Sequence, residues 1–579
     1  MHKEVRRNEK WFLTMKKANF DEIGEMFSIS PILSRLIRNR DIVSEEEVQL
    51  YLNGTIENLD DGMLLKDMGQ TVEVLKEKIE KELLIRVIGD YDIDGINGTF
   101  ILEEGLRRLG GKVDTDIPDR MTEGYGLNTF LIDRAINDGV DTIITCDNGI
   151  AACKEIDYGK SKGLTIIVTD HHKVPHVDKG DEKVYIMPKA DAIVNPQRFD
   201  CSYDFKELCG AAVAYKVVES LFKSLSKDVK EIDFLIENVA LATIGDVMDL
   251  QGENRIFVKH GLEMLRKTKN LGLKALMDVN EIKREHLSTY HIGFVIGPCI
   301  NASGRLDTAK KALELLSSAK KEQAFAIAKN LKELNDERRQ ITEQGVEDAI
   351  SKIEESDLLC DKVLVVYLEN CHQSVAGIVA GRVREKYYRP VFILTHGEAE
   401  GEIKGSGRSI EAYHMFDELC KCSDLLSKFG GHKVAAGLTM AKENIEPFRK
   451  MLNEACQLSE DDLIEKISID MVLPFRYIDI KLIEEIKKLE PFGKGNETPL
   501  FAAKEVSVLY PKIYGENENV LSFQAQDSEG SLLRAVYFGD AKTCLEYIKG
   551  KEKIDITFSP KINEYQGKKS VQLIVKNYK

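Results

Sequence analysis

Apolar positions cluster in three short runs, Leu83 to Ile88, Thr142 to Thr145 and Leu164 to Val168, with the length and β-branched content of buried strands. Stretches of helical period lie between and after them: Thr99 to Leu109, Asn128 to Asn137, Ala151 to Lys162, Gly210 to Leu225 and Ile232 to Ile244. This alternation, from Lys76 to about Asn301, predicts βαβ units and a mostly parallel sheet. Upstream, residues 1 to about 75 are predicted to be helical and to cap this α/β region, with Trp11, Phe12, Ile29, Leu33, Leu36 and Ile37 spaced as apolar faces. Residues 308 to 355 combine few breakers with dense alternating charge, which predicts a long exposed helix joining two halves. A second α/β unit is expected from Lys362 to about Cys456: strand Val363 to Leu368, helix Val375 to Lys386, strand Val391 to Leu394, and Gly-rich turns at 405 to 407 and 430 to 431. The remainder alternates polar and apolar in short runs such as Leu521 to Gln526 and Leu533 to Phe538, as in a small β-barrel or sandwich. The expected boundaries are 1–75, 76–307, 308–355, 356–458 and 459–579.

The length of 579 residues agrees with this multidomain plan, at roughly one domain per 100–200 residues. No apolar run reaches the ~18–20 residues that span a bilayer. The polar start, Met1-His2-Lys3-Glu4-Val5-Arg6-Arg7, leads to no apolar signal core, so a cytoplasmic location is expected. Eleven cysteines occur without a C-x-x-C pair, which predicts reduced, mostly buried thiols. The net charge of −16 argues on average against nucleic acid, yet residues 541 to 579 hold nine Lys against four Asp and Glu. That tail interleaves Tyr547, Phe558, Tyr565 and Tyr578 with its lysines, a mixture suited either to a nucleic-acid strand or to a protected sheet edge.

Each of the three opening runs ends in an aspartate-centred turn: Gly89-Asp-Tyr-Asp-Ile-Asp-Gly95, Cys146-Asp-Asn-Gly149 and Thr169-Asp-His-His172. On neighbouring parallel strands these would bring five carboxylates and two imidazoles to one crevice, an oxygen-rich set suited to Mg²⁺ or Mn²⁺. The spacing Asp90-x-Asp92-x-Asp94-Gly95 imitates a calcium loop, but the twelfth position is Ile101 where that loop needs Glu, and an apolar strand-like run precedes it. Gly95 and Gly98 are expected to let the chain turn sharply into the following helix. Asp246 and Asp249 follow the apolar Val239 to Ile244 helix. A second group sets cations beside small residues: Arg120, Arg305 in Asn301-Ala-Ser-Gly-Arg305, Ser406 and Arg408 in Ser406-Gly-Arg-Ser409, and His432 after Gly430-Gly431. Such a group points to phosphate, since small residues open the backbone to it and guanidinium grips its oxygens.

Taken together, these residues resemble the DHH phosphoesterase family and, within it, the RecJ-type single-strand exonucleases. The likeness extends to Glu123-Gly-Tyr-Gly-Leu127, Leu250-Gln-Gly-Glu-Asn-Arg255, Gly304-Arg-Leu306, Gly377-Ile-Val-Ala380, Gly405-Ser-Gly-Arg-Ser409, Gly430-Gly-His432 and Leu489-Glu-Pro-Phe-Gly-Lys-Gly-Asn496. The resemblance implies an α/β DHH domain with a mostly parallel sheet, a long connecting helix, a DHH-associated α/β domain and a C-terminal OB-like barrel. It implies a two-metal centre for Mn²⁺ or Mg²⁺, with Asp92 and Asp94 entering from the first turn, Asp147 bridging, His171 ligating and Asp246 closing the shell. Asp90 and Asp170 join the metal set, and Asp147, His171 and His172 the catalytic set. Arg120, Arg305, His372, Ser406, Arg408 and His432 would hold phosphates. Two places depart from the family pattern: Gly245 stands where Ala precedes the aspartate, and His372-Gln-Ser374 stands where His-Pro-Gly is usual. The implied function is 5′-to-3′ hydrolysis of single-stranded DNA to nucleoside monophosphates in repair and recombination, with a single-strand-binding protein or a helicase as protein partners and no membrane. Two alternatives are a DHH phosphodiesterase of short oligoribonucleotides or cyclic dinucleotides, and a non-catalytic DHH scaffold of a replication complex.

Overall fold

The computed structural model describes residues 9–120, 122–124, 126–179, 182–397 and 399–579, so the Met1 to Arg7 start and Tyr125 of the Glu123 to Leu127 motif lie outside the described residues. The chain divides into two compact units, one built on Trp11–Gly297, Leu313–Ala319 and Ser468–Lys579, the other on Pro298–Ala312 and Lys320–Ile467.

The first unit holds a five-stranded sheet in the order Lys112–Asp116, Leu84–Gly89, Thr142–Cys146, Thr165–Thr169, Ala192–Val194. Every pairing is parallel, as the unbroken apolar runs predict for strands covered on both faces. From the Leu84–Gly89 strand the chain first adds a neighbour on one side and then returns to the other. The strand order therefore reverses between Gly89 and Cys146, and a crevice opens beyond their carboxyl ends. Helix Ile93–Arg108 starts there, its Asp92 side chain accepting from the Asp94 and Gly95 amides. Gly95 and Gly98 do not make the sharp turn expected of them, since neither has a positive φ. Their role is close approach: a Cβ on Gly95 would lie 2.4 Å from Asp90 O, and one on Gly98 2.2 Å from Cys146 Sγ.

Glu237 is buried on helix Ile236–Gly245 and accepts from Thr268 Oγ1 at 2.8 Å. Burial pushes its carboxyl from 4.5 up to about 7, against the opposing pull of Thr268 and Lys274. The folded state holds this proton more tightly than the unfolded one, so the stability it contributes is complete below pH 4.5 and is lost as pH rises through 7. Glu237→Gln is expected to flatten the fall in urea midpoint between pH 4.5 and 7, a term of roughly 3 kcal/mol; parallel curves for parent and variant would reject it.

Residues Phe501 to Tyr578 form a barrel, which decides between barrel and sandwich. Strands Phe501–Tyr514, Val520–Gln526, Leu532–Phe538, Lys568–Tyr578 and Ile554–Tyr565 follow one another, and the last pairs back to the first. The tail aromatics mostly build this barrel. Phe558 is wholly buried, Tyr547 and Tyr578 pack ring to ring at 5.3 Å, and only Tyr565 of the four is exposed. The N-terminal helices meet the α/β region as expected, Arg255 and Lys259 donating to Tyr51 O and Leu52 O, but they have a second partner that was not expected. Leu33, Leu36, Ile37, Val48 and Tyr51 share one core with Phe475, Phe501, Phe523, Phe558 and Leu573 of the barrel region. Trp11 and Phe12 lie in strand Glu9–Leu13, not in a helix. Among the described residues no helix is long and apolar enough to cross a membrane.

The second unit carries a sheet in the order Lys428–Gly431, Ala435–Ala441, Glu402–Arg408, Val391–His396, Leu364–Tyr367, flanked by helices Gln373–Tyr387 and Lys321–Glu354. The predicted 308–355 helix is in fact two helices: Lys310–Leu316 ends at the Ser317-Ser318 pair before the 34-residue helix begins. The segments 405–407 and 430–431, expected as turns, are strands. A Cβ on Gly405 would strike Leu394 and Leu438, and one on Gly407 would strike Met415 and Phe392. These glycines make room for large neighbours on the sheet face.

Candidate metal centre

Asp90, Asp147 and Asp170 each follow the last residue of three adjacent strands whose ends are in register, Gly89 opposite Cys146 and Cys146 opposite Thr169. The β-sheet thus sets all three at one level over the crevice. Asp147 adopts a φ of 61°, a left-handed conformation that Asp tolerates better than most residues. Asp246 is reached from another direction, as the C-cap of helix Ile236–Gly245.

His171 marks where these elements converge. Its Nε2 lies 3.0 Å from Asp147 Oδ1, 3.5 Å from Asp94 Oδ2 and 3.8 Å from Asp246 Oδ2. His172 Nδ1 lies 2.8 Å from Asp170 Oδ1 and 3.7 Å from Asp147 Oδ1. Three groups have ligand atoms mutually within 4.8 Å: Asp147, His171 and His172; Asp94, His171 and Asp246; Asp90, Asp92 and Asp147. Asp170 falls outside all three. Its Oδ1 accepts from the His171 and His172 amides and pairs with His172 Nδ1, and its Oδ2 accepts from the Ile150 amide, so it orients the turn and the ring rather than facing the ligand groups.

The electrostatics fit divalent cations. Burial, then the charges of Asp94, Asp92, Asp90 and Asp246, holds the Asp147 carboxyl far above the ordinary range. Burial, then Asp94 and Asp92, pushes Asp246 up to about 8. Burial also raises Asp90 and Asp94. Asp90 Oδ1 is buried without a hydrogen-bond donor. Carboxylates crowded in a dry crevice resist ionising together, and a bound cation removes that resistance while satisfying orphaned oxygens. Burial would raise Asp170 as well, but the His172 hydrogen bond and charge hold it below its usual value. Burial disfavours His172 imidazolium, yet Asp170 and the more distant Asp246 and Asp94 push it up to about 9.

Two backbone amides that no sequence motif singled out complete the crevice, together with Arg120 and Lys494. Asp94 accepts from the Gly210 and Ala211 amides, both at 2.7 Å. These open helix Gly210–Ser224, which has no side-chain cap of its own, so Asp94 takes its orphan donors and meets the positive end of its dipole. A Cβ on Gly210 would lie 2.7 Å from Asp147 Cβ. A helix start reading Cys209-Gly210-Ala211, without Ser, Thr, Asp or Asn, was the available signal. Arg120 lies over the Tyr91 ring at 5.0 Å, and its charge acts on Asp90, beside the centre. Lys494 pairs with Asp249 at 3.0 Å, and its charge acts on Asp246.

The phosphate candidates of the second unit form a group of their own. Arg305, in the last turn of helix Gly297–Leu306, donates to Ser374 O at 2.8 Å. His372 caps helix Gln373–Tyr387, its Nδ1 2.6 Å from Ser374 Oγ. Gly377 faces Ser406 and Arg408, and a Cβ there would lie 2.8 Å from Ser406 Oγ and 2.9 Å from Arg408 Nη2. His432 is one strand away, its amide donating to Ala435 O opposite Arg408.

The chain matches the DHH family, N-terminal domain over residues 84–243, the DHHA1 domain over 361–458 and the RecJ OB domain over 469–577. It is 33% identical over 562 residues to the single-stranded-DNA-specific exonuclease RecJ of Bacillus subtilis, covering 96% of this chain and 69% of that protein. It is also 33% identical over 572 residues to the enzyme of that name from Haemophilus influenzae, covering 96% and 97%. The structure of RecJ from Thermus thermophilus in complex with Mn²⁺ superposes with a TM-score of 0.82 at 26% identity, covering 99% of this chain and 80% of that one. Its complex with Mg²⁺ gives 0.77 at 25% identity, covering 99% and 78%.

Proposed function

This chain belongs to the RecJ family of DHH phosphoesterases, and from that premise we propose that it is a metal-dependent hydrolase that degrades single-stranded DNA from the 5′ end to nucleoside monophosphates. The observation that carries the chemistry is the convergence of Asp94, Asp147 and Asp246 on His171 Nε2, within 3.8 Å.

Asp92, Asp94, Asp147, His171 and Asp246 would hold Mn²⁺ or Mg²⁺, with Asp90 offering its undonated oxygen and His172 joining the Asp147–His171 group. Two bound cations would supply Lewis-acid polarisation of the phosphodiester and activation of water. The chain's own residues do the placing. The Gly210 and Ala211 amides lock the Asp94 carboxylate, and Asp170 engages Nδ1 of His172, leaving Nε2 as that ring's other polar atom. Arg120, stacked on Tyr91, presents a planar cation to a phosphate beside Asp90. Arg305, His372, Ser406, Arg408 and His432 are read as further phosphate contacts, of the kind that favours a terminal phosphate. Retention of every expected acidic and histidine ligand speaks against a scaffold that binds without cutting.

The partner is therefore a single strand of DNA, in repair and recombination. Delivery of that strand by a single-strand-binding protein or a helicase is an expectation drawn from the family resemblance alone. A cytoplasmic location is supported by eleven cysteines that are all free thiols.

Strands labelled at the 5′ or the 3′ end test the reading. With Mn²⁺ the 5′ label is expected to leave first as a mononucleotide, and chelator should stop its release. Release of the 3′ label first would overturn the polarity. Cleavage of dinucleotides but not of long strands would assign the chain to the short-substrate phosphodiesterases instead.

A further inference from the structure

Tyr290 and Phe294 are 62% and 72% exposed, yet their rings lie parallel to within 27° with centroids 5.0 Å apart. Two large aromatics that stack on each other in water present a flat apolar surface, a feature that in soluble proteins marks a binding site. They sit where the helical turn Thr289–His291 widens into a π-helical stretch, Ile292–Ile296, a distortion of the sort found at functional sites.

This stretch is fastened beside the metal centre. Gly293 faces Ile244, two residues before Asp246, at 3.8 Å from its ideal Cβ, and Gly297 faces Ile93, between Asp92 and Asp94, at 3.3 Å. At its start, Thr289 Oγ1 donates to Phe492 O at 2.7 Å. Two residues beyond Phe492, the Lys494 ammonium stands at Asp249, which follows Asp246 by three. Metal ligands, a cation and an aromatic stack thus share one edge of one unit, and their chemistry matches the alternation of phosphate and base along a strand.

We propose that Tyr290 and Phe294 form a stacking platform for an unpaired base of the strand whose backbone enters the metal centre, and that this platform contributes to selection of single strands. The inference rests on the nuclease reading above. A duplex keeps both faces of each base occupied by its neighbours, so its bases cannot use the platform. A single strand can, and since every base has a π-face the contact is indifferent to sequence.

The test compares, in chelator and with the full chain, a 5′-phosphorylated oligothymidylate with an abasic strand of equal length and charge, read by fluorescence anisotropy. The parent is expected to prefer the base-bearing strand about tenfold. Y290A/F294A should lose that preference, while Y290F/F294Y, which keeps both ring faces, should retain it. Undiminished preference in the alanine variant would overturn the proposal, and so would a parent that cleaves single strands yet binds both probes equally. A parent that neither binds nor cleaves oligothymidylate would instead refute the nuclease reading, and the platform with it.

Discussion

Asp147→Asn is expected to lower Mn²⁺-dependent nucleotide release from a single strand by on the order of a thousandfold or more, because several kcal/mol of charge stabilisation at the phosphodiester depend on correctly held cations. Asp147 belongs to two of the three ligand groups and lies 3.0 Å from His171 Nε2, so its loss disturbs both halves of the centre. The asparagine keeps the shape and removes a carboxyl that burial and the neighbouring aspartates make costly to ionise. In chelator the variant should therefore melt at or above the parental temperature, and it should still bind the strand. Mn²⁺ titration should show weakened or fewer sites. Near-parental hydrolysis would reject the assignment, and a melting temperature well below the parent's would mean that Asp147 serves the fold.

The largest effect on stability is expected at Arg255. Its guanidinium is buried, donates to Tyr51 O, Leu489 O and Glu490 O at 2.9 Å each, and lies 3.9 Å over the Tyr51 ring. Among the described residues no carboxylate pairs with it. Backbone carbonyls and a π-face hold this cation, a task that needs a planar fork and that lysine cannot reproduce. Arg255→Ala takes this donor from the Tyr51 and Glu490 carbonyls, while Leu489 O keeps the Asn496 side-chain amide, and opens a cavity, a loss of about 3–5 kcal/mol. Urea unfolding of the unit should show the drop, with Arg255→Lys recovering only part of it. The Leu489 to Asn496 segment should become sensitive to protease. An unchanged midpoint in the alanine variant would refute this account.

Those two positions mark what could and could not be read along the chain. The aspartate turns were legible because strands buried on both faces are continuous apolar runs, and a polar turn directly after such a run must lie at the sheet's end. The strand-level alignment of Asp90, Asp147 and Asp170 follows from register alone. Asp170's separation from the ligand groups was not legible, because it depends on which amides its oxygens meet. Arg255 and Leu489 were quoted as motifs, but their contact joins residues 234 apart and leaves no periodic trace. The glycines at 405 and 407 read as turns because glycine is the usual turn residue; the large side chains that displace their Cβ atoms come from neighbouring strands and from the helix that begins at Met415. The tail aromatics looked available for stacking, yet spacing alone does not say which faces point into a closed barrel.

The shared core of the N-terminal helices and the barrel bears on how this protein is made. Leu33, Leu36 and Ile37 leave the ribosome early, but Phe501, Phe523, Phe558 and Leu573, which cover them, follow more than 450 positions later. At ~5–20 residues per second, that apolar stripe waits roughly half a minute to a minute and a half without its partners. Vectorial synthesis therefore leaves this apolar stripe uncovered until a segment more than 450 positions downstream emerges, and chaperone demand should be greatest while the intervening residues are being made.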